Sequence, residues 1–154
     1  MGSRVLSNVL VIDDDAEMRK LLTSILEDEG YSVESAEDGK HAIEACKKLP
    51  FDAALIDIEL PDMKGTKLLG ALKVIQPKMV KIIITGHLSI ENAVTSVNEK
   101  ADGYVVKPFN PPELLATIKK LIAEKTNDYF AMFKEVEQAK ENSPLFKYSR
   151  PDKW

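Results

Sequence analysis

The sequence predicts an α/β fold in which helices cover both faces of a doubly wound, five-stranded parallel sheet. Short apolar runs alternate along the chain with segments whose apolar residues recur at helical spacing. The runs are mostly continuous, as in strands that are buried on both faces. Strands separated by helices are typical of parallel pairing through right-handed crossovers. The alternation and the continuous apolar runs together carry this prediction.

The predicted strands are short, and all but one are strongly apolar. The exception, Tyr31 to Ala36, alternates apolar and polar residues and is expected to be less buried than the others. The five strands span 9–12, 31–36, 51–56, 80–84 and 104–106.

The five predicted helices lie between these strands and after the last one. Met18 and the neighbouring leucines are expected to be core residues of the first helix, and Gly30 is expected to stop it. Ser89 can cap the fourth helix, and Pro111-Pro112 is expected to open the fifth. Helical spacing of apolar residues covers 18–26, 42–49, 66–75, 90–97 and 114–122.

Composition and charge exclude several classes of protein. The chain has 154 residues, of which 44% are hydrophobic and 30% charged, as expected for one globular domain with an appendage. The net charge of −4 argues against direct contact with nucleic acid, which demands a basic excess. No apolar run approaches the roughly 20 residues of a membrane helix, so no membrane insertion is expected. Cys46, the only cysteine, is expected to be inert packing in a protein of the reducing cytoplasm.

We divide the chain into an N-terminal leader at 1–7, a domain at 8–123, and a C-terminal helical extension or linker at 124–154 with a frayed end. The helical pattern of the fifth helix continues to about Ala139. It leaves two alternatives, an amphipathic helix packed back on its own domain or a helix that dimerises or links. The second alternative depends on a heptad seam, a stripe of residues spaced alternately three and four apart, in which Lys125 is a charged interruption. The seam consists of Leu115, Ile118, Ile122, Lys125, Tyr129, Met132, Val136 and Ala139.

Charged and hydroxyl side chains stand at the ends of four predicted strands. Because the carboxyl ends of parallel strands meet at one edge of a sheet, where such folds bind ligands, we expect these side chains to lie together. They are Asp13, Asp14 and Asp15 after the first strand, Asp57 after the third, Thr85 after the fourth and Lys107 after the fifth.

The chemistry of this set suits a phosphoryl group and a hard cation. Asp13, Asp14 and Asp57 offer only oxygen ligands, which favours Mg²⁺ over zinc. The Asp57 carboxylate is the candidate nucleophile, since a carboxylate can attack phosphorus and form an aspartyl-phosphate. The Lys107 ammonium would neutralise charge, and Thr85 would donate a hydrogen bond to a phosphoryl oxygen.

Each of these residues also has a plainer interpretation. Asp15 is expected to be a helix N-cap, Asp57 alone could be a turn residue before Pro61, and Thr85 alone could be an ordinary strand-end threonine. The Lys107-Pro108 bond would turn the lysine toward the site if it were cis, and otherwise Pro108 is a plain loop proline. Only the convergence of several such residues at matching strand ends favours the phosphoryl site.

In these residues the chain resembles the receiver domain of two-component response regulators. The resemblance covers roughly 8–123, and the segments Asp57 to Gly65 and Asp102 to Phe109 follow the family's loop patterns. It implies a flavodoxin-like sheet of order 2-1-3-4-5. It also implies that Asp57 accepts a phosphoryl group from a phosphohistidine on a sensor histidine kinase or a histidine phosphotransfer protein.

The same resemblance implies a set of metal ligands. Asp14 and Asp57 would ligate Mg²⁺ directly, Asp13 would act partly through water, and the backbone carbonyl of Glu59 would complete the protein ligands. Lys107 would bind phosphoryl oxygens together with the threonine at the end of the fourth strand.

Further residues take positions that control the state of the domain in this family. Thr85 and Tyr104 resemble the pair that moves when the phosphoryl group is present. Glu59 and His87 occupy positions that tune the lifetime of the phosphoryl group. Gly86 takes a position usually held by a small residue and leaves the approach to the site open.

The resemblance implies a switch rather than an enzyme with separate turnover, apart from the domain's own phosphorylation and slow dephosphorylation. The readout face would be the fourth helix, the fifth strand and the fifth helix. We predict that phosphorylation changes self-association, as in a homodimer, or partner contact through 113–139. No output domain is recognisable after the fifth helix, so the chain is either a single-domain regulator or a receiver cut from a longer protein.

Two other classes compete with this interpretation. In a haloacid-dehalogenase-like phosphatase, Asp13 would be the nucleophile and Asp15 the acid, but such enzymes need another acid pair on a strand beyond the lysine. A flavin-binding module of the same fold would need a hydroxyl- and glycine-rich phosphate loop after the first strand. Three aspartates stand there instead and would repel the phosphate.

Overall fold

The computed structural model describes residues 7–86 and 101–142. The predicted fourth helix at 90–97, His87 and the tail beyond 142 lie outside the described residues. Within them the strands are β1 (Asn8–Ile12), β2 (Ser32–Ala36), β3 (Ala53–Ile56), β4 (Val80–Thr85) and β5 (Gly103–Val106). The helices are α1 (Ala16–Asp28), α2 (Gly39–Lys48), α3 (Gly65–Ile75) and the C-terminal helix (Pro111–Glu141).

The sheet has the predicted class and order. Its five strands are all parallel and run in the order β2-β1-β3-β4-β5. In the register, Ile12 pairs with Ile56, which in turn pairs with Ile83. The strands β1, β3 and β4 therefore end close to one level, and the residues that follow them emerge at one edge of the sheet. The prediction of a doubly wound, flavodoxin-like sheet is confirmed.

Burial follows the position of each strand in the sheet. All residues of β3 and β4 are buried, whereas the edge strand β2 is largely exposed, as its alternating sequence predicts. Successive side chains of a strand point to opposite faces, so the sheet separates two apolar clusters. One cluster joins Leu10 and Ile12 to α2 and α3, and the other joins Val9 and Val11 to α1 and the start of the C-terminal helix.

Helix α1 begins and ends as the sequence predicts, with one exception in its core. The Asp15 side chain caps it by accepting from the N–H groups of Glu17 and Met18. Gly30 follows the helix with φ of 96°, a left-handed conformation that glycine adopts without strain. The prediction that Leu21 is a core residue is wrong, because it is 49% exposed while Leu22 is buried. Neighbouring residues on a helix point about 100° apart, and the face toward the sheet is too narrow for both.

The chain divides into two compact units at Ile122. The described part of the second unit, 123–142, is helical almost to its end. Its large apolar side chains are unusually open to solvent: Phe130 is 62% exposed, Met132 57%, Phe133 63% and Val136 46%. Among the helices of the described ranges, none is long and apolar enough to cross a membrane.

Candidate functional site

Main-chain hydrogen bonds fix the residues that follow the central strands. The Asp57 N–H donates to the Ile12 carbonyl at 3.0 Å, and the Asp13 N–H donates to the Ala36 carbonyl at 3.1 Å. The ladder of the sheet thus continues into both aspartates. Because their backbones belong to the sheet, their side chains start from fixed points at its carboxyl edge.

Three carboxylates and one ammonium converge at this edge. Lys107 Nζ lies 2.9 Å from Asp13 Oδ2 and 3.6 Å from Asp57 Oδ2. Carboxylate oxygens of Asp13, Asp14 and Asp57 all lie within 4.8 Å of one another. Asp13 and Asp57 are buried, whereas Asp14 is exposed, so the cluster opens to solvent on one side. The Lys107-Pro108 peptide bond is cis.

Further hydrogen bonds orient the two buried carboxylates. Asp13 Oδ1 accepts from the Asp15 N–H at 2.9 Å, and Asp57 Oδ1 accepts from the Glu59 N–H at 3.1 Å. In each aspartate the other oxygen, Oδ2, is the one nearer to Lys107. These hydrogen bonds hold each carboxylate in one orientation through Oδ1, and Oδ2 stays directed toward Lys107.

The electrostatics of the cluster show an excess of negative charge. Burial raises the pKa of Asp57, and the Asp13 carboxylate raises it further, while the Glu59 N–H and Lys107 act in the opposite direction. Burial alone would lower the pKa of Lys107, but its hydrogen bond with Asp13 and the charges of both aspartates outweigh burial and raise it. Lys107 therefore stays charged, and Asp57 retains a cost of ionisation that a bound cation would relieve.

A close approach of two backbones closes the loop after Asp57. A Cβ atom on Gly65 would lie 2.1 Å from the Asp57 carbonyl oxygen, so only glycine fits there. The Gly65 N–H donates to the Ile58 carbonyl at 2.7 Å, and Glu59 and Lys64 form an antiparallel bridge. Residues 58–64, here called the β3–α3 loop, are thereby fixed at their base next to Asp57.

The other predicted site residues are placed as follows. Thr85 ends β4, is buried, and accepts from the Lys107 N–H through its backbone carbonyl at 2.8 Å. Tyr104 is partly buried against the cluster on the α2 and α3 side, and its buried hydroxyl has no hydrogen-bond partner within the described residues. Burial raises the pKa of that hydroxyl. A Cβ on Gly86 would meet no atom of the described residues within 4 Å.

Two contacts at this edge escape sequence reasoning. The Arg19 guanidinium donates to the Asp13 carbonyl at 2.7 Å and so supports the backbone between the two acid residues and α1. Asp62 Oδ1 accepts from the N–H of Gly39 at 2.9 Å, which joins the β3–α3 loop to α2. No local signal in the sequence marks either contact.

Comparison with known proteins decides the family. Residues 9–119 match the family described as the response regulator receiver domain. This chain belongs to that family. The match covers most of the alternating α/β part of the chain and agrees with the strand order and the acidic edge described above.

Relatives and solved structures agree with this assignment. The transcriptional regulatory protein ZraR of Escherichia coli is 33% identical over 116 residues, which are 75% of this chain and 26% of that protein. A CheY-like receiver domain protein of Methanospirillum hungatei has a TM-score of 0.78 at 41% identity, covering 80% of this chain and 99% of that one. A Burkholderia pseudomallei response regulator, described with a phosphorylated aspartic acid and a calcium ion, has a TM-score of 0.71 at 31% identity over 89% of this chain and 75% of that one.

The curated relatives are longer than this chain. It spans about a quarter to about half of the length of the curated relatives it matches. The phosphatase alternative, with Asp13 as nucleophile, has no support from any of these comparisons. The family is one of signalling domains of two-component systems.

Proposed function

We propose that Asp57 accepts a phosphoryl group from a phosphohistidine on a sensor histidine kinase or a phosphotransfer protein. The observation that carries this proposal is the position of its carboxylate, buried at the strand edge with the Lys107 ammonium at 3.6 Å. The neighbouring carboxylates of Asp13 and Asp14 supply the rest of a site for a phosphoryl group and a divalent cation.

The residues present fit Mg²⁺. The donor set consists of oxygen atoms alone, and the pKa of Asp57 is raised by burial and then by the Asp13 carboxylate, which a bound cation would counteract. Asp13, Asp14, Asp57 and the backbone carbonyl of Glu59 would hold the ion. When bound, Mg²⁺ would neutralise charge on the transferring phosphoryl group.

In the proposed reaction, an Asp57 carboxylate oxygen attacks phosphorus as the bond from phosphorus to the donor nitrogen breaks. The leaving imidazole takes the electron pair of that bond. Lys107 stabilises the oxygens of the phosphoryl group, and the Thr85 hydroxyl donates to one of them. In the separate dephosphorylation step, water attacks phosphorus, the bond between phosphorus and the Asp57 oxygen breaks, and the carboxylate is regenerated as inorganic phosphate and a proton leave. Glu59 and His87 are proposed to set how fast that water reacts.

Phosphorylation of Asp57 is tested by mass. The full chain is incubated with Mg²⁺ and acetyl phosphate, and the intact mass is followed with time. We expect the addition of one base-labile phosphoryl group, which Asp57→Asn loses at least about 100-fold because no carboxylate remains to attack. Asp28→Asn, the same change at the exposed end of α1, serves as the matched control. Phosphorylation that persists in Asp57→Asn, or that depends only on Asp13, would reject the proposal.

We further propose that the phosphoryl state controls contacts of the readout face and of the extension. Thr85 and Tyr104 would move between the two phosphoryl states. The buried Tyr104 hydroxyl has no hydrogen-bond partner among the described residues, so a movement that gave it a partner would be favourable. The exposed apolar residues of 123–142 offer a surface for a second copy of this chain. The domain boundaries at 8–123 and 124–154 are also part of this proposal, and they follow from where the alternation of strands and helices ends in the sequence.

The setting of this activity is proposed from the family. We place the chain in the cytoplasm, as a switch without separate turnover and without its own contact to nucleic acid, in line with its net charge of −4. Transcriptional regulation is stated in the name of ZraR, of which this chain covers only 26%.

A further inference from the structure

The tip of the β3–α3 loop is attached to the start of α2. Asp62 accepts from the Gly39 N–H through Oδ1 and from the Lys40 N–H through Oδ2, both at 2.9 Å. The next N–H, that of His41, donates to Asp38 Oδ1 at 2.8 Å. The first three N–H groups of α2 are thus held by two carboxylates, and only Asp62 belongs to another element.

An apolar contact lies beside this polar one. A Cβ atom on Gly39 would come within 2.5 Å of Met63 Sδ, so the methionine lies directly over the glycine. Met63 is partly buried and packs against the apolar cluster of α2 and α3. Two successive residues at the loop tip are therefore fixed on α2 by different kinds of contact.

The loop base joins this tip to the site. The bridge between Glu59 and Lys64 and the hydrogen bond from Gly65 to Ile58 close the loop into a compact unit. The Glu59 N–H also orients Asp57 Oδ1. A shift of the tip would therefore be carried to Glu59, because the bridge from Lys64, directly after the tip, ends on that residue.

We infer that Asp62 is a positioning residue for the metal site, which it serves by fixing on α2 the loop that carries the Glu59 carbonyl. This inference rests on the proposed function. The carboxylate suits the positive end of a helix dipole, and two charge-assisted hydrogen bonds set its direction as well as its distance. Residues that orient metal ligands without touching the metal affect affinity strongly, and the exposure of Asp62 reduces that effect here.

The test is the affinity of the full chain for Mg²⁺, measured by isothermal titration calorimetry. We expect Asp62→Ala to raise the Kd for Mg²⁺ about 3–10-fold, with the same factor in the Mg²⁺ concentration needed for phosphorylation. Asp62→Asn keeps one side-chain carbonyl as acceptor and should fall between the two proteins. Asp38→Ala is the matched control, because it removes a cap from the same end of α2 without touching the loop. Its Kd should stay within about 2-fold of the wild type.

Several results would overturn the inference. An equal loss of affinity in Asp62→Asn and Asp62→Ala would show that only the charge matters, and an effect no larger than that of Asp38→Ala would show simple helix capping. Should Asp62→Ala not fold, Asp62→Ser and Asp62→Asn give the same ranking test. A wild-type chain that neither binds Mg²⁺ nor gains a phosphoryl group would reject the proposed function itself. A wild type that does both, with unchanged variants, would reject only the role of Asp62.

Discussion

The carboxyl edge of the sheet buries charged groups beside partners of opposite charge, whereas the helical segment 123–142 exposes large apolar side chains to solvent. At the edge, Asp13 is 1% exposed and its carboxylate already contacts Lys107 within the same domain. In the helical segment, Phe130 and Phe133 are more than half exposed. Buried polar groups must be satisfied internally, whereas exposed apolar groups gain only when another surface covers them. This difference supports the proposal that phosphoryl chemistry takes place in the first region and self-association in the second.

The largest effect is expected from adding a side-chain atom at Gly65, next to the carboxyl edge of the sheet. Gly65→Ala should lower the free energy of unfolding by about 2–3 kcal/mol, because its Cβ would meet the Asp57 carbonyl and the backbone there cannot yield without moving the site. Chemical denaturation in urea measures the change.

Gly86→Ala provides the matched control, since a Cβ there meets no atom within 4 Å in the part of the chain that the structure describes. We expect its unfolding free energy to stay within about 0.5 kcal/mol of the wild type. If the two substitutions had equal effects on stability, the close packing described for the edge would be wrong.

A smaller effect is expected from the charge of Asp57. Its pKa is raised in the folded protein, so between the unfolded and folded pKa values the folded state holds more protons. The free energy of unfolding therefore falls as the pH rises through that range, and ionised Asp57 is destabilising at neutral pH. Asp57→Asn removes this cost and should raise the Tm at neutral pH by roughly 2–6 °C without Mg²⁺.

Two further measurements sharpen the prediction for Asp57. The gain in Tm should vanish as the pH falls below the ordinary range of a carboxyl group, where both side chains are neutral. Addition of Mg²⁺ should stabilise the wild type more than Asp57→Asn, because the variant lacks one anionic ligand. Identical pH profiles of thermal unfolding in the two proteins would contradict the electrostatic account.

The placement of Asp13, Asp57 and Lys107 at one edge of the sheet was predictable because the relevant signals are local. A continuous apolar run marks a buried strand, and a charged residue directly after it must lie at the strand end. The exposed aromatic surface was harder to predict. The predicted seam included Met132 and Val136 but omitted Phe130 and Phe133, since a heptad pattern selects one narrow stripe.

Contacts that depend on side-chain direction or on distant parts of the chain were not predictable. The Asp62 carboxylate reaches N–H groups 22 and 23 residues away in sequence. Lys81 is fully buried within β4, and its ammonium donates to the Met79 carbonyl at 2.7 Å. A lysine in a strand pattern carries no sign of such an internal partner, because its long side chain usually reaches solvent.

The smallest effect, and the one specific to the helical segment, is expected at Phe133. Phe133→Ser should weaken self-association about 10-fold, because it removes most of the apolar area that this side chain, 63% exposed in the single chain, would bury in a dimer. Gln138→Ser, an exposed position on the same helix, gives the matched control. Sedimentation equilibrium over a concentration series, with and without acetyl phosphate and Mg²⁺, measures both proteins. Phosphoryl uptake should be unchanged in either variant, since both substitutions are at exposed positions of 123–142 and leave Asp13, Asp57 and Lys107 intact. A wild-type chain whose mass is the same in both phosphoryl states at every concentration would remove the proposed link between the two regions.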